Sequence, residues 1–275
     1  MGGIIRFPAS GSDLLPVARF NGDIVARDRV YFISDAHLGA PRLKRNHREQ
    51  EDTLIAFLRS IRETAEVLYI VGDLFDFWFE YGSVVPKHGA RVLFELHFLL
   101  HSGVRVVYLP GNHDVWLGPY LAEEVGVELP GGPVEVEHQG KRLFLAHGDE
   151  FRRDWKYRMS RAVIKNRFCI RLFRWLHPDV GAFFAQSTSQ YSEVRSKKNW
   201  NKKTHKEIYV RGAREKIEAG VDIVICGHYH RALVEQVGDG ILVVLGDWIR
   251  RDTYAVLENG GIVLEKWGDG ISKGR

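Results

Sequence analysis

Cysteine is scarce in this chain. The 275 residues hold two, Cys169 and Cys226, in apolar surroundings and without CxxC spacing. A disulfide framework and a thiolate zinc site are therefore excluded as organising devices, and a reducing, cytosolic compartment is the default expectation. Long apolar runs are also missing. No stretch approaches the roughly 18 consecutive apolar residues needed to span a bilayer, so the expectation is a soluble or peripheral protein. The opening, MGGIIRFPASGSDLLPVARFNGD, lacks the basic start and apolar stretch of a secretory leader. There are no internal repeats and no low-complexity segments.

What is present is ordinary in bulk and unusual in detail. Hydrophobic residues make up 45% and charged residues 27%, as in most soluble globular proteins. The formal charge of +4 is compatible with an anionic substrate or membrane surface without requiring either. The first 28 residues, punctuated by Gly, Ser and Pro, read as an extension, and residues 29–275 as one domain. Val30–Ser34, Val67–Val71 and Val104–Leu109 are β-branched, aromatic-rich runs of strand length. Residues 48–65 and 90–100 carry helical apolar spacing between them. Alternating strand and helix predicts parallel βαβ units, whose ligands bind beyond the carboxyl ends of the strands. Arg142–Ala146 and Asp222–Cys226 resume the sheet. The segment between them, about 151–219, reads as a mostly helical insertion rich in Arg, Lys, Trp and Phe. Four runs between Ala232 and Trp267, separated by Gly turns, predict consecutive antiparallel strands.

Five polar clusters follow these strand-like runs: Asp35-Ala36-His37, Gly72-Asp73 with Asp76, Gly111-Asn112-His113-Asp114, His147-Gly148-Asp149 and Gly227-His228-Tyr229-His230. In an extended chain alternate residues point the same way, so Asp35 and His37 would converge on one ion, as would His228 and His230. Asp73 is placed to bridge two cations, Asn112 offers a neutral oxygen and His147 an imidazole. Mixed carboxylate, amide and imidazole donors suit Mn²⁺, Fe²⁺ or Zn²⁺ equally well. Each cluster alone has an innocent reading as turn or cap chemistry. Five together, each at a strand end, are better explained by one two-metal centre for phosphate ester or anhydride hydrolysis.

The order DxH, GDxxD, GNHD, HGD, GHxH resembles the calcineurin-like metallophosphoesterase superfamily. The resemblance implies an α/β fold: a layered β-sandwich core flanked by helices, here with a helical cap. It also implies one metal held by Asp35, His37, Asp73 and His230, and a second held by Asp73, Asn112, His147 and His228. His113 becomes the candidate to stabilise the phosphoryl charge or protonate the leaving oxygen, with Asp114 orienting it. Asp76 and Asp149 are expected to support the site without ligating.

A closer likeness lies in Ser34-Asp35-Ala36-His37-Leu38, Gly72–Trp78, Ala146–Asp149 and Leu245-Gly246-Asp247-Trp248. These segments resemble the UDP-2,3-diacylglucosamine pyrophosphatase family of lipid A biosynthesis. That family releases UMP and 2,3-diacylglucosamine 1-phosphate (lipid X), typically with Mn²⁺, at the cytoplasmic face of the bacterial inner membrane. Its best-known members carry Arg where this chain has His113. Asp154 and Tyr157 keep a D-x-x-Y spacing similar to a substrate-contacting segment of the family. The basic patch Ser196–Lys203 adds Lys198, Asn199 and Lys202 as candidate phosphate or nucleotide contacts.

Val163–Trp175 interleaves aromatic and aliphatic residues with Arg161, Lys165, Arg167, Arg171 and Arg174. It reads as an interfacial helix or the wall of an acyl groove. Trp78, Trp116 and Trp248 are candidates to stack on a base or sugar. The expected partner is a UDP-linked acylated glucosamine at the inner membrane, with no protein partner. A metallophosphodiesterase acting on another nucleotide or on nucleic acid is the alternative, and an inactive binding scaffold is disfavoured by the full ligand set.

Overall fold

The computed structural model describes residues 5–6, 17–20, 23–41, 45–152, 155–183 and 202–268. The three apolar runs of the first half form β4 (Arg29–Ile33), β5 (Ala65–Val71) and β6 (Arg105–Leu109). They pair in parallel, with Phe32 opposite Tyr69 and Tyr69 opposite Val107. The crossovers are helices α1 (His47–Ser60) and α2 (Ala90–His101). Asn46 starts α1 by accepting a hydrogen bond from Arg48 N at 2.9 Å, and Glu95 of α2 receives Arg59 and Arg62 at 2.9 and 2.7 Å.

The period-2 pattern of these strands divides their side chains between two cores. Tyr31, Ile33, Leu68, Ile70, Val106 and Tyr108 pack with Leu54, Phe57, Leu58, Val92 and Leu96 of the helices. Val30, Phe32, Val67, Tyr69, Val71, Val107 and Leu109 face the other way, onto Leu143, Leu145, Ile223, Ile225, Val243 and Leu245 of a second sheet. Between the sheets Phe32 and Tyr69 stack, with ring centroids 5.4 Å apart.

The second sheet contains β1 (Ile5–Arg6), β7 (Val134–His138), β8 (Lys141–Ala146), β9 (Ile223–Cys226), β10 (Ala232–Val237) and β11 (Gly240–Leu245). Their spatial order is β1-β7-β8-β9-β11-β10. Its outer face, including Phe144, Val224, Cys226 and Val244, packs on Tyr209 and Ala213, so the core has α/β/β/α layers. Cys226 is fully buried there, and Cys169 is also unpaired.

The chain leading into β4 contains a separate hairpin, β2 (Val17–Phe20) with β3 (Asp23–Ala26), and β1 runs parallel to β7. The four C-terminal strands do not form one antiparallel series. β10 and β11 are a hairpin in the second sheet, whereas β12 (Thr253–Glu258) and β13 (Gly261–Lys266) are a hairpin of the first, with β12 antiparallel to β4. The switch occurs at Gly246–Asp252. There Asp247 accepts hydrogen bonds from Ile249 N and Arg250 N at 3.1 and 2.7 Å, and turns the chain from one sheet to the other.

Between β8 and β9 lie a 3₁₀ turn (Asp149–Phe151), α3 (Trp155–Ile164), α4 (Arg167–Arg174), a short α5 over 178–183 and α6 (Lys202–Glu218). The stretch from Val163 to Trp175, read as one helix from its periodicity, is broken. α3 ends at Ile164, and Asn166 caps α4 through Phe168 N at 2.8 Å. Asn competes for backbone donors and favours such a cap over a helix interior.

Candidate metal centre

All five clusters leave the carboxyl ends of parallel strands. β4, β5 and β6 deliver Asp35 and His37, Asp73, and Asn112 and His113. β8 and β9, from the opposite sheet, deliver His147, and His228 and His230. The candidate ligands therefore meet across the open end of the sandwich.

They converge by a different local geometry from extended alternation. Asp35, His37, Asp73, His228 and His230 all have positive φ, between 46° and 64°, and make up five of the eight such non-glycine residues described. A left-handed backbone is strained for a residue with a side chain, and persists only where the surroundings impose it. The flanking glycines make the approach sterically possible. A Cβ on Gly111 would lie 2.6 Å from Asp73 N, and one on Gly227 would lie 2.6 Å from Ser34 Oγ. His228 and His230 consequently point to different places.

One group of donors is Asp35, His37 and His230, another is Asp73, His147 and His228, and a third, of His37, Asp73 and His113, overlaps them. In the first, His230 Nε2 lies 3.1 Å from Asp35 Oδ1 and 3.2 Å from His37 Nε2. In the second, His147 Nε2 lies 3.2 Å from both Asp73 Oδ2 and Asn112 Oδ1. Asp73 Oδ2 is also 3.6 Å from His37 Nε2, which joins the two groups. His147 Nδ1 donates to Val71 O at 2.9 Å. That bond fixes Nδ1 as a donor and aims Nε2 at the carboxylate, the nitrogen that a bound cation would take as its ligand.

Divalent cations fit this set. Asp35 Oδ1 and Asp73 Oδ2 are buried and receive no hydrogen bond, and buried carboxylate oxygens are costly without compensation. Within the protein the imidazoles supply it. Burial alone would raise both carboxyls; His230 and His37 instead hold Asp35 well below the usual range, and His147 with His113 and His37 does the same for Asp73. Burial would correspondingly lower His37 and His147, yet Asp35 and Asp76, and Asp73, raise them well above 6.5. At His228 burial, with His147 nearby, outweighs the carboxylates of Asp149, Asp73 and Asp35 and pushes it down to about 4.

The His113 side chain is 20% exposed, between 5% for His37 and 39% for His230. Its Nδ1 donates to Asp76 O at 3.1 Å and lies 3.4 Å from Asp76 Oδ1, so Nε2 is the free atom. The expected pairing of His113 with Asp114 is not formed. Asp114 is fully buried and accepts from Gly111 N at 2.8 Å, Asp73 N at 3.2 Å and the Tyr108 hydroxyl. It faces inward onto those donors, and so it holds the backbone on which Asp73 and Asn112 sit. Asp76 orients His113 and also approaches His37 Nδ1 at 3.4 Å. Gln50, which no motif marks, ties the rim together by donating to Ala36 O and Trp248 O.

The remaining candidates divide. Tyr157 donates to Asp149 Oδ2 at 2.5 Å, so its hydroxyl is committed to the protein. Asp154, Lys198 and Asn199 lie outside the described residues, and Lys202 opens α6 with its side chain outside them. Trp78 and Trp248 are buried core residues and present no ring to a ligand. Trp116 remains at the surface. There it packs on Phe173 of α4, with centroids 5.0 Å apart, beside Phe79, while its Nε1 donates to Ile164 O at 2.9 Å.

The profile of the calcineurin-like phosphoesterases matches residues 28–232, which hold every one of these ligands. The chain belongs to that family. Among phosphoesterases of known name it is 35% identical over 263 residues to the UDP-2,3-diacylglucosamine hydrolase of Porphyromonas gingivalis. That match covers 88% of this chain and 99% of the relative. Proteins of the same name from Haemophilus influenzae and Stenotrophomonas maltophilia are 31% and 30% identical. They match over 82% and 85% of this chain and 92% and 96% of their own lengths.

Proposed function

We propose that this phosphoesterase hydrolyses the diphosphate of UDP-2,3-diacylglucosamine, giving UMP and 2,3-diacylglucosamine 1-phosphate. The observation that carries the reading is near-complete coverage of a relative of that name by a chain with these donor groups assembled. Two divalent cations, Mn²⁺ by the resemblance, would be held by Asp35, His37 and His230 and by Asn112, His147 and His228, with Asp73 shared. When bound they would activate water and neutralise phosphoryl oxygens.

The chain's own side chains supply the rest. Asp76 occupies His113 Nδ1, so Nε2 is free to stabilise the phosphoryl group or to give its proton to the departing oxygen. Asp114 keeps the Asp73 and Gly111 amides in place. On the insertion, Trp175 is 89% and Phe168 68% exposed, close in sequence to Arg167, Arg171 and Arg174. This mixed apolar and cationic face suits acyl chains and the anionic cytoplasmic leaflet of the inner membrane, where the protein would act peripherally. Among the described residues no helix is long and apolar enough to cross a membrane.

Release of UMP from UDP-2,3-diacylglucosamine by protein reconstituted with Mn²⁺, abolished by Asp73→Ala, tests the proposal. Cleavage of cyclic nucleotides or nucleic acid without turnover of the lipid would replace it with a nucleotide phosphodiesterase.

A further inference from the structure

The loop that carries His147 is held from outside the core by one cation of the insertion. Gly148 N, the first amide after His147, donates to Glu150 Oε2 at 2.9 Å. Glu150 Oε1 in turn lies 3.4 Å from Arg161 Nη2, and Arg161 Nη1 donates to Asp149 Oδ2. Arg161 sits on α3, and its side chain is only 18% exposed. Asp149 is fully buried and its Oδ1 receives no hydrogen bond. Two adjacent carboxylates thus sit behind a metal-ligating histidine, and among the described residues the only ion pairs they form are with Arg161.

We infer that Arg161 is a positioning residue for His147, acting through Glu150 and Asp149. The inference rests on the reading of His147 as a metal-holding residue. The fork of the guanidinium reaches both carboxylates at once, which a point charge on a flexible stem does not reproduce. With the fork in place, Glu150 faces the Gly148 amide and Asp149 stays folded under the loop. Without it, the two carboxylates repel each other and release the segment that sets the aim of His147 Nε2 toward Asp73 and Asn112.

Two physical effects of removing Arg161 have opposite signs. Losing a positive charge near the site favours cation binding by simple electrostatics, whereas losing the position of His147 weakens it. Outer partners of metal-ligating histidines are worth about 10–100-fold in affinity, so position is expected to dominate. Because α3 belongs to the insertion, Arg161 would also make the seating of the insertion felt at the metal centre.

The test is calorimetric titration of metal-free protein with Mn²⁺ alone, for wild type, Arg161→Met, Arg161→Lys and the double variant Arg161→Met/Asp149→Asn. Arg161→Met is expected to weaken one of two binding events about tenfold or more, with Arg161→Lys recovering little. Removing one of the repelling charges in the double variant should recover part of the loss. Unchanged or tighter Mn²⁺ binding by Arg161→Met overturns the inference, and so does full rescue by Arg161→Lys, which would leave charge alone as the cause. The side chain lies outside the core, and circular dichroism of each variant confirms folding. Turnover of bis(p-nitrophenyl) phosphate separates the two readings. If the lipid is not a substrate, this small diester still reports the loss at Arg161→Met.

Discussion

Around the metal centre, side chains are held from several directions. Asp35 takes His228 N at 2.8 Å, Asp73 takes His113 N at 2.9 Å, and His147 is pinned by Val71 O. The insertion differs. α3 and α4 leave Trp155, Met159, Val163, Phe168, Leu172 and Trp175 exposed. They touch the rim chiefly through aromatic packing of Phe173 on Phe77, Phe79 and Trp116 and through Arg161 on Asp149. Atoms that act on a phosphate need fixed distances, and a preorganised, dry setting supplies them. A surface that receives flexible chains or a membrane needs apolar area instead, and tolerates loose docking. On the proposed function, bond cleavage belongs to one region and choice of molecule to the other.

Substitutions can break or sharpen that division. The largest effect is expected from Asp73→Ala, which removes the carboxylate proposed to serve both cations. Turnover of any phosphodiester should fall roughly 10³-fold or more, together with loss of bound metal on elemental analysis. His113→Ala should lower kcat by about 10²–10⁴-fold while leaving metal content intact. If small diesters were spared by either change, cleavage would not belong to the core alone.

On the insertion, Arg171→Glu with Arg174→Glu should weaken binding to anionic vesicles by roughly 30-fold, at about 1 kcal/mol for each basic residue near the surface. Unchanged sedimentation with vesicles would remove the membrane from the account of this face. The smallest effect is expected from Phe173→Ala. A loss of docking worth about 1.4 kcal/mol corresponds to a tenfold rise in KM for the lipid, with kcat for a small diester unchanged. A matching fall in kcat for both substrates would show that the regions are not separable.

The division also governs what the sequence reveals. The βαβ half and all seven candidate ligands are legible because buried strands leave unbroken apolar runs, and in parallel sheets the polar residues just beyond them meet at one rim. Asp114 illustrates the limit. Its neighbour in sequence is His113, but its partners are Gly111, Asp73 and Tyr108, brought by two strands and the loops that follow them. Local pattern likewise identifies the C-terminal hairpins without saying that Asp247 turns the chain from one sheet to the other. β7 is not legible in the sequence because Val134 and Val136 are too short an alternation to stand out before β8 supplies its partner. Trp78 and Trp248 look like ligand platforms beside metal motifs, yet the core takes both, since burying so large an apolar surface stabilises the fold more than displaying it.

The left-handed backbone at Asp35, His37, Asp73, His228 and His230 has a bearing on how this protein would age under relaxed selection. Each such residue carries of order 1–3 kcal/mol of conformational cost, and at Asp35, His37 and Asp73 it comes on top of a buried charge or imidazole. A lineage that no longer needed the reaction could replace His228 with glycine, which relieves the backbone cost and keeps the amide from which Asp35 accepts. The metal-free His228→Gly protein is accordingly expected to unfold at a higher temperature than its metal-free parent. Activity and durability pull this rim in opposite directions, and catalysis alone would account for its keeping the costlier residues.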